Sequence, residues 1–152
     1  MRIHVIKIGK PVFGQADELA EMYRTRLGPF ATIDLTYVKD TGSPGVPSVL
    51  SPALEKILKA CDVVVGLHER GGSWSSLEFA NKLRGWMDNP GVKSLAFLVG
   101  GPFGWDESVE ARVKAKWCLS PCTLQGDVAW IVLWEQLYRA STILRGMPYH
   151  HA

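Results

Sequence analysis

The chain has few cysteines, no long hydrophobic run and no excess of charge of one sign. Three cysteines among 152 residues do not form a disulfide framework, and the spacing of Cys118 and Cys122 is not that of a zinc knuckle, so we predict no metal site. The apolar run at 128–134 is far shorter than the roughly 20 residues that span a bilayer. Residues 2–7 alternate instead of forming a signal-peptide core. We therefore expect a cytoplasmic protein that does not cross a membrane.

The overall composition is that of an ordinary globular protein. Apolar residues make up 47% of the chain and charged residues 21%, which excludes a disordered or fibrous class. A formal net charge of +2 gives no indication of nucleic-acid binding by itself. The length suits one domain with its own core, so we expect a single domain over 1–152.

Apolar segments alternate with helix-like segments along the whole chain. Hydrophobic periodicity, together with capping and turn residues, predicts strands at 2–8, 32–38, 62–68, 94–100 and 118–124. It predicts helices at 16–27, 49–60, 77–87, 106–116 and 127–146. This alternation is typical of an α/β fold with a mostly parallel sheet flanked by helices. Residues 40–52 hold three prolines and two glycines, which favours a mobile loop.

The last predicted helix is apolar on more than one face. Asp127 is placed to cap its first turn, and Gly146 with Pro148 provides the stop signal. Its apolar residues do not fit on one stripe, which in so short a chain indicates burial against a partner subunit. The residues in question are Trp130, Ile131, Leu133, Trp134, Leu137, Tyr138, Ile143 and Leu144.

Three strand ends are followed by loops in which a ligand site is expected. They are residues 67–74, 100–105 and 119–127, and ligands of open parallel sheets bind at the carboxyl ends of the strands. The second loop contains glycines at 100, 101 and 104, a spacing that matches neither the dinucleotide fingerprint nor the P-loop. Such glycines favour close approach to a backbone or a flat ligand, although a plain tight turn explains them equally well.

The polar residues that could carry chemistry each have an ordinary structural explanation as well. Residues 68–70, His-Glu-Arg, are expected to be surface charges, because neighbours on an extended segment point to opposite sides. Glu135 and Arg139 lie four apart on the long helix and form either a surface pair or the polar groups of a site. Tyr149 and His150 lie in a terminal segment that is either an unordered tail or part of that site.

Taken together, several segments resemble one known family. LVGGPFG, LSPCTL, WEQLYRASTILRG and PYH, together with the opening strand and LHERGGSWSS, are similar to the ribosomal large subunit pseudouridine methyltransferase H family, of the SPOUT class. The resemblance covers nearly the whole chain, and the spaced combination is specific. It implies a trefoil knot over about 62–146 and a homodimer that uses the last helix. It also implies S-adenosyl-L-methionine as cofactor, and methylation of N3 of a pseudouridine in 23S rRNA on the assembled ribosome.

The resemblance also assigns residues to roles. It implies that Glu135, Arg139, Tyr149 and His150 orient the acceptor base and assist proton removal. It implies that backbone groups of the three loops bind the cofactor, at the positions Leu67, Gly100, Leu119, Ser120, Pro121, Cys122, Thr123 and Leu124. No metal is implied.

Four departures from the family pattern lie where RNA would be contacted. Gln125-Gly126 stands where the family has Pro-His, Trp130 where it has Arg, and His151 where a basic residue ends the tail. Residues 41–52 have no Lys or Arg, and lost cations weaken phosphate binding. The alternative is therefore a divergent SPOUT paralogue that binds the cofactor but has a different acceptor or no catalytic activity.

Overall fold

The computed structural model describes residues 1–151, in which a five-stranded sheet has helices on both faces. The strands are β1 (Arg2–Ile8), β2 (Thr32–Val38), β3 (Val63–Ser73), β4 (Ser94–Val99) and β5 (Ala115–Cys118). The helices are α1 (Gly14–Leu27), α2 (Pro52–Lys59), α3 (Ser76–Asp88), α4 (Glu107–Glu110) and α5 (Gly126–Leu144). In this part of the chain, no helix has both the length and the apolar character that a membrane crossing requires.

The strand order is β2-β1-β4-β3-β5, and all four neighbouring pairs are parallel. Alternate residues of the strands point to opposite faces, so the sheet separates two hydrophobic cores. The larger core lies under α1, α3 and α5, and the smaller one under α2 and α4. The predicted α/β class with a mostly parallel sheet is confirmed, and all strands end at the same edge.

The last strand and the helix before it differ from their predicted positions. The predicted helix at 106–116 is wrong beyond the short α4, because residues 115–118 instead pair with β3 to form β5. The predicted strand at 118–124 is wrong as well, since only Cys118 is in a strand and the rest is loop. The alternation of apolar residues could not show which segment pairs with the edge of the sheet.

Strand β3 is longer than predicted and contains an irregularity. It runs past residue 68 to Ser73 and pairs with β5 twice, with a register shift between Leu67 and Gly72. A Cβ atom at Gly71 would come within 2.6 Å of the backbone of β5, so only glycine permits this approach. Part of the expected loop at 67–74 is therefore strand.

The first turn of α5 is capped by Gln125 and not by Asp127. The Gln125 Oε1 atom accepts hydrogen bonds from the backbone amides of Asp127 and Val128, at 2.7 and 3.1 Å. The Asp127 carboxylate instead accepts the Phe13 amide at 2.7 Å and so fastens the start of α1 to α5. At the other end, Gly146 takes a positive φ of 64°, as the predicted stop signal requires.

Helix α5 is buried within its own chain to a greater extent than its pattern suggested. Trp130, Leu133, Trp134 and Leu137 have at most 1% of their surface exposed, and the helix packs on α1 and α3. The other four apolar residues named above are half-buried. The apolar character of α5 is thus explained mainly by the chain's own core.

Candidate cofactor cavity and tail cluster

A cavity of about 500 Å³ opens at the carboxyl edge of the sheet. Its volume is within the range of small-molecule and cofactor sites. The ends of β3, β4 and β5 and the loops that follow them form its walls. All eight residues predicted for cofactor binding line it: Leu67, Gly100, Leu119, Ser120, Pro121, Cys122, Thr123 and Leu124.

One wall of the cavity is the loop at 119–124, which contains no charged side chain. A local turn shapes this loop: the Ser120 hydroxyl accepts the Cys122 amide at 2.9 Å. The Cys118 thiol donates to the Ser120 carbonyl at 3.0 Å. Backbone groups and small side chains therefore dominate this wall, which suits a neutral, flat ligand better than a phosphate group.

Trp105 forms a second wall, which the sequence pattern did not identify. Cβ atoms at Gly66 and Gly100 would approach its ring to 2.9 and 3.1 Å, so the two glycines make space for the indole. The indole Nε1 donates to a carboxylate oxygen of Glu110 at 2.8 Å, which fixes the plane of the ring. The glycine at position 100 is thus a requirement of packing and not only of a turn.

The segment at 40–50 lies against the loop at 100–105, here called the glycine loop, and hydrogen bonds hold it there. The amide of Ser48 donates to the Gly104 carbonyl at 3.0 Å, and the Asp106 amide donates to the Ser48 carbonyl at 2.9 Å. The Ser48 hydroxyl, itself buried, donates to the Asp40 carboxylate. A Cβ atom at Gly101 would collide with the same carboxylate. The proline-rich segment, predicted to be a mobile loop, is therefore hydrogen-bonded to the glycine loop and supports that side of the cavity. Its composition alone could not predict these hydrogen bonds.

His68, Glu69 and Arg70 were predicted to be surface charges; Glu69 and Arg70 are exposed, whereas His68 is half-buried. His68 and Glu69 both line the cavity, in the part of β3 where its register with β5 shifts. The His68 Nδ1 atom accepts the Arg70 amide at 3.0 Å, and its ring lies 5.9 Å from that of Trp105. Within residues 1–151, no three His, Cys, Asp or Glu side chains come together in an arrangement that could hold a metal ion.

The four residues predicted for catalysis form a second cluster, here called the tail cluster: Glu135, Arg139, Tyr149 and His150. The Glu135 Oε1 atom accepts from Tyr149 Oη at 3.0 Å and from Arg139 Nε and Nη2 at 3.1 and 2.5 Å. Arg139 Nη1 lies 3.2 Å from Nδ1 of His150. Its guanidinium also lies 4.8 Å from the centre of the Tyr149 ring. The final segment is therefore attached to α5 through hydrogen bonds and a cation–π contact.

The protonation states in the tail cluster follow from these contacts. Burial raises the pKa of Tyr149, and the adjacent Glu135 carboxylate raises it further, so the phenol stays protonated at neutral pH. Hydrogen bonding to Glu135 raises the pKa of Arg139. Because a guanidinium only donates, His150 Nδ1 accepts, and the neutral ring then carries its proton on Nε2. The cluster presents a cation, Arg139, that is paired with the Glu135 carboxylate, and it also presents hydrogen-bond donors.

The cavity and the tail cluster are separate within one chain. None of the four cluster residues lines the cavity, whereas Ala129, in the first turn of α5, does. Residues 129–139 of a helix span about 15 Å, so Arg139 lies well beyond the cavity.

A parallel α/β sheet with a cavity at its carboxyl edge is the arrangement in which open sheets of this kind bind small ligands, and comparisons with known proteins specify the class. A family model described as "Predicted SPOUT methyltransferase" matches residues 1–150. The chain belongs to this SPOUT methyltransferase family.

Individual relatives agree with this assignment. The chain is 37% identical to the ribosomal RNA large subunit methyltransferase H of Anaeromyxobacter dehalogenans, covering 99% of both chains. It is 37% identical to the protein of the same name from Alkalilimnicola ehrlichii, covering 100% of both. The resemblance to the methyltransferase H family is thus confirmed. Among solved structures, a probable methylase family protein from Haemophilus influenzae matches with a TM-score of 0.51 and 16% identity, over 95% of this chain and 66% of that one; this match supports the fold.

Proposed function

We propose that the protein uses S-adenosyl-L-methionine and that this cofactor binds in the cavity at the carboxyl edge of the sheet. The observation that carries this proposal is the convergence of three loops on one cavity, with an uncharged wall at 119–124, in a SPOUT methyltransferase. When bound, the cofactor supplies an electrophilic methyl group on a sulfonium. The loop at 119–124 and the carbonyls around Gly100 would hold its adenosine part, and Trp105 would exclude water from one side.

The proposed acceptor is N3 of a pseudouridine in 23S rRNA on the assembled ribosome. Relatives named ribosomal RNA large subunit methyltransferase H match over essentially their whole lengths, which supports large-subunit rRNA as the substrate; the N3 position and the assembled ribosome follow from the family resemblance. In the reaction, a carbon–nitrogen bond forms at N3 while the carbon–sulfur bond breaks, and N3 releases its proton. The protein must align N3 with the methyl group and stabilise the negative charge on the ring.

The tail cluster has groups that can stabilise negative charge on the acceptor ring. Arg139 provides a permanent positive charge, and His150 provides an N–H donor from Nε2. Glu135 is already occupied by donors from Arg139, Tyr149 and Gln136, so it serves to orient its neighbours. We therefore assign the cluster to orientation of the base and charge stabilisation, and the N3 proton to solvent.

We propose that the protein is a homodimer in which the tail cluster of one protomer completes the cavity of the other. The separation of the two sites within one chain supports this arrangement. Exposed apolar side chains at the adjoining starts of α1 and α5 also support it: Val12, Phe13 and Val128 have 78, 53 and 44% of their surface exposed. Such side chains favour a protein interface.

The remaining expectations from the family resemblance belong to the same proposal. They are a single domain over 1–152, a trefoil knot within about 62–146, and action in the cytoplasm, where ribosomes are assembled. The fold class and the match of the family model over residues 1–150 support them.

Transfer of labelled methyl groups to ribosomes that lack the modification tests the proposed acceptor. We expect label on one pseudouridine of 23S rRNA in assembled ribosomes and much less on free rRNA. Label on another nucleotide, or on protein, would contradict the proposed acceptor while leaving a methyltransferase.

A divergent paralogue remains the second candidate because of three specific features. Gly126 and Trp130 replace the family's His and Arg, and residues 41–52 have no Lys or Arg. Trp130 is fully buried and lies 5.6 Å from the ring of Tyr37, so it cannot contact RNA as an arginine would. Cofactor binding without any methyl transfer to ribosomes would favour this candidate.

A further inference from the structure

Lys7 is a buried lysine close to the cavity that has no part in the function proposed above. It lies near the end of β1, where it is paired with Tyr37 on one side and Val99 on the other. Only 5% of its surface is exposed. Lysine is almost never buried to this extent without a partner, so its retention needs an explanation.

The Lys7 ammonium has few close partners. Its one hydrogen bond within residues 1–151 is to the Gly9 carbonyl, at 3.4 Å. Within residues 1–151, the Lys7 Nζ atom forms no ion pair with an Asp or Glu oxygen at 4.0 Å or less. Burial lowers the pKa of Lys7, while the negative charges of Asp127 and Asp40 act in the opposite direction. An ammonium has three donors, so the group is held by the field of two carboxylates more than by direct bonds.

These two carboxylates lie next to different walls of the cavity, although neither residue lines it. Asp127 lies in the first turn of α5, 2% exposed, and the same turn contributes Ala129 to the lining. Asp40 lies against Gly101 of the glycine loop. The Lys7 Nζ atom is also 3.9 Å from the position that a Gly126 Cβ would occupy. The Lys7 ammonium therefore lies beside the start of α5, and it bonds to Gly9, where a Cβ atom would lie 3.6 Å from the Cβ of Asp40.

We propose that Lys7 is a positioning residue of the cavity. By attracting Asp40 and Asp127, its ammonium keeps the glycine loop and the start of α5 at the separation that the cofactor requires. Without this charge, the two carboxylates repel each other and the walls move apart. This inference rests on the proposed cofactor site, since it concerns the affinity of that site.

Calorimetry with S-adenosyl-L-methionine on the Lys7→Met variant tests the inference. Loss of a charged group that organises the site is expected to weaken binding about tenfold. The melting temperature should fall, because the change leaves the buried Asp127 carboxylate without the positive charge that compensates it. Lys10→Met, at an exposed position beyond the same strand, is the matched control and should bind as the wild type does.

A double-mutant cycle with Asp40→Asn tests the route through Asp40. Asparagine retains an oxygen for the Gly42 amide and the Ser48 hydroxyl but removes the charge. Asp40→Asn should also weaken binding, and the double variant should be hardly weaker than either single one. Strictly additive effects would overturn the proposed route.

The outcomes separate this inference from the proposed function. Wild-type protein that does not bind S-adenosyl-L-methionine would contradict the cofactor site itself. Wild-type protein that binds, with Lys7→Met binding equally well, would overturn the role of Lys7 alone. If Lys7→Met does not fold, Asp40→Asn carries the test, and unchanged affinity in that variant would overturn the inference.

Discussion

The cavity and the tail cluster are built in opposite ways. The cavity wall at 119–124 is uncharged and consists largely of backbone and small side chains. The tail cluster is made of long polar side chains that satisfy one another, with three donors on a single oxygen of Glu135. The first arrangement is suited to hold a ligand by shape, and the second to present charge at a defined point.

This difference predicts different sensitivities to mutation. Changes of volume should damage the cavity, whereas changes of charge should damage the tail cluster. Changes in the cavity should alter cofactor affinity, and changes in the cluster should alter the rate of methyl transfer while cofactor affinity remains. The following variants test this separation, starting with the largest expected effect.

Gly100→Arg should abolish binding of S-adenosyl-L-methionine. A Cβ atom at this position already meets the Trp105 ring at 3.1 Å, and the rest of the arginine would fill the cavity. Calorimetry measures the loss, and sedimentation should show an unchanged oligomeric state. Gly85→Arg, on the exposed side of α3 where a Cβ meets nothing within 4 Å, is the control. Normal affinity in Gly100→Arg would rule out the cavity as the cofactor site.

Arg139→Ala should reduce the rate of methyl transfer about a hundredfold, which is typical of the loss of one group that stabilises developing charge. The variant loses the bonds to Glu135 and the contact with His150. Single-turnover kinetics on ribosomes measures the effect, and calorimetry should show unchanged cofactor affinity. Arg84→Ala, at an exposed position of α3, controls for the loss of a positive charge. An equal loss in both variants would indicate a nonspecific electrostatic effect.

Tyr149→Phe should reduce the rate about tenfold, through loss of one hydrogen bond to the charged Glu135. Since burial raises the pKa of Tyr149, the phenol is protonated at neutral and mildly alkaline pH and does not act as a base. The ratio of wild-type to variant rates should therefore be constant over that pH range. A ratio that grows with pH would identify the phenolate as the proton acceptor.

Ser48→Ala should have the smallest effect, a loss of about 1 to 3 kcal/mol of stability, because it removes a buried hydrogen-bond donor to Asp40. The segment at 40–50 would then brace the glycine loop less firmly, and cofactor affinity should fall slightly. Chemical denaturation measures the first effect and calorimetry the second. Ser43→Ala, at an exposed position of the same segment, should change neither.

The sequence allowed the sheet class and the position of the cavity to be predicted, because buried strands and glycine loops have local signatures. It did not locate β5, because pairing with an edge strand depends on residues far away in the chain, such as Gly71. It missed Trp105 and Lys7 for a similar reason. The role of each residue depends on the residues that pack around it in the fold, and neither residue is part of a recognisable sequence motif.

The family resemblance contributed what local patterns could not. Glu135 and Arg139 are four residues apart, and their pairing was foreseeable. The return of Tyr149 and His150 to the same point depends on the turn at Gly146 and on contacts of the final segment. Residue patterns alone left that segment open between an unordered tail and a site.

The central claim is that the cavity of one protomer works with the tail cluster of the other. Heterodimers isolated with two affinity tags, one protomer carrying Gly100→Arg and the other Arg139→Ala, test it directly by methyl transfer to ribosomes. Each parental homodimer should be almost inactive, whereas the heterodimer should recover activity from the one site that combines an intact cavity with an intact tail cluster. A heterodimer as inactive as its parents would contradict the account.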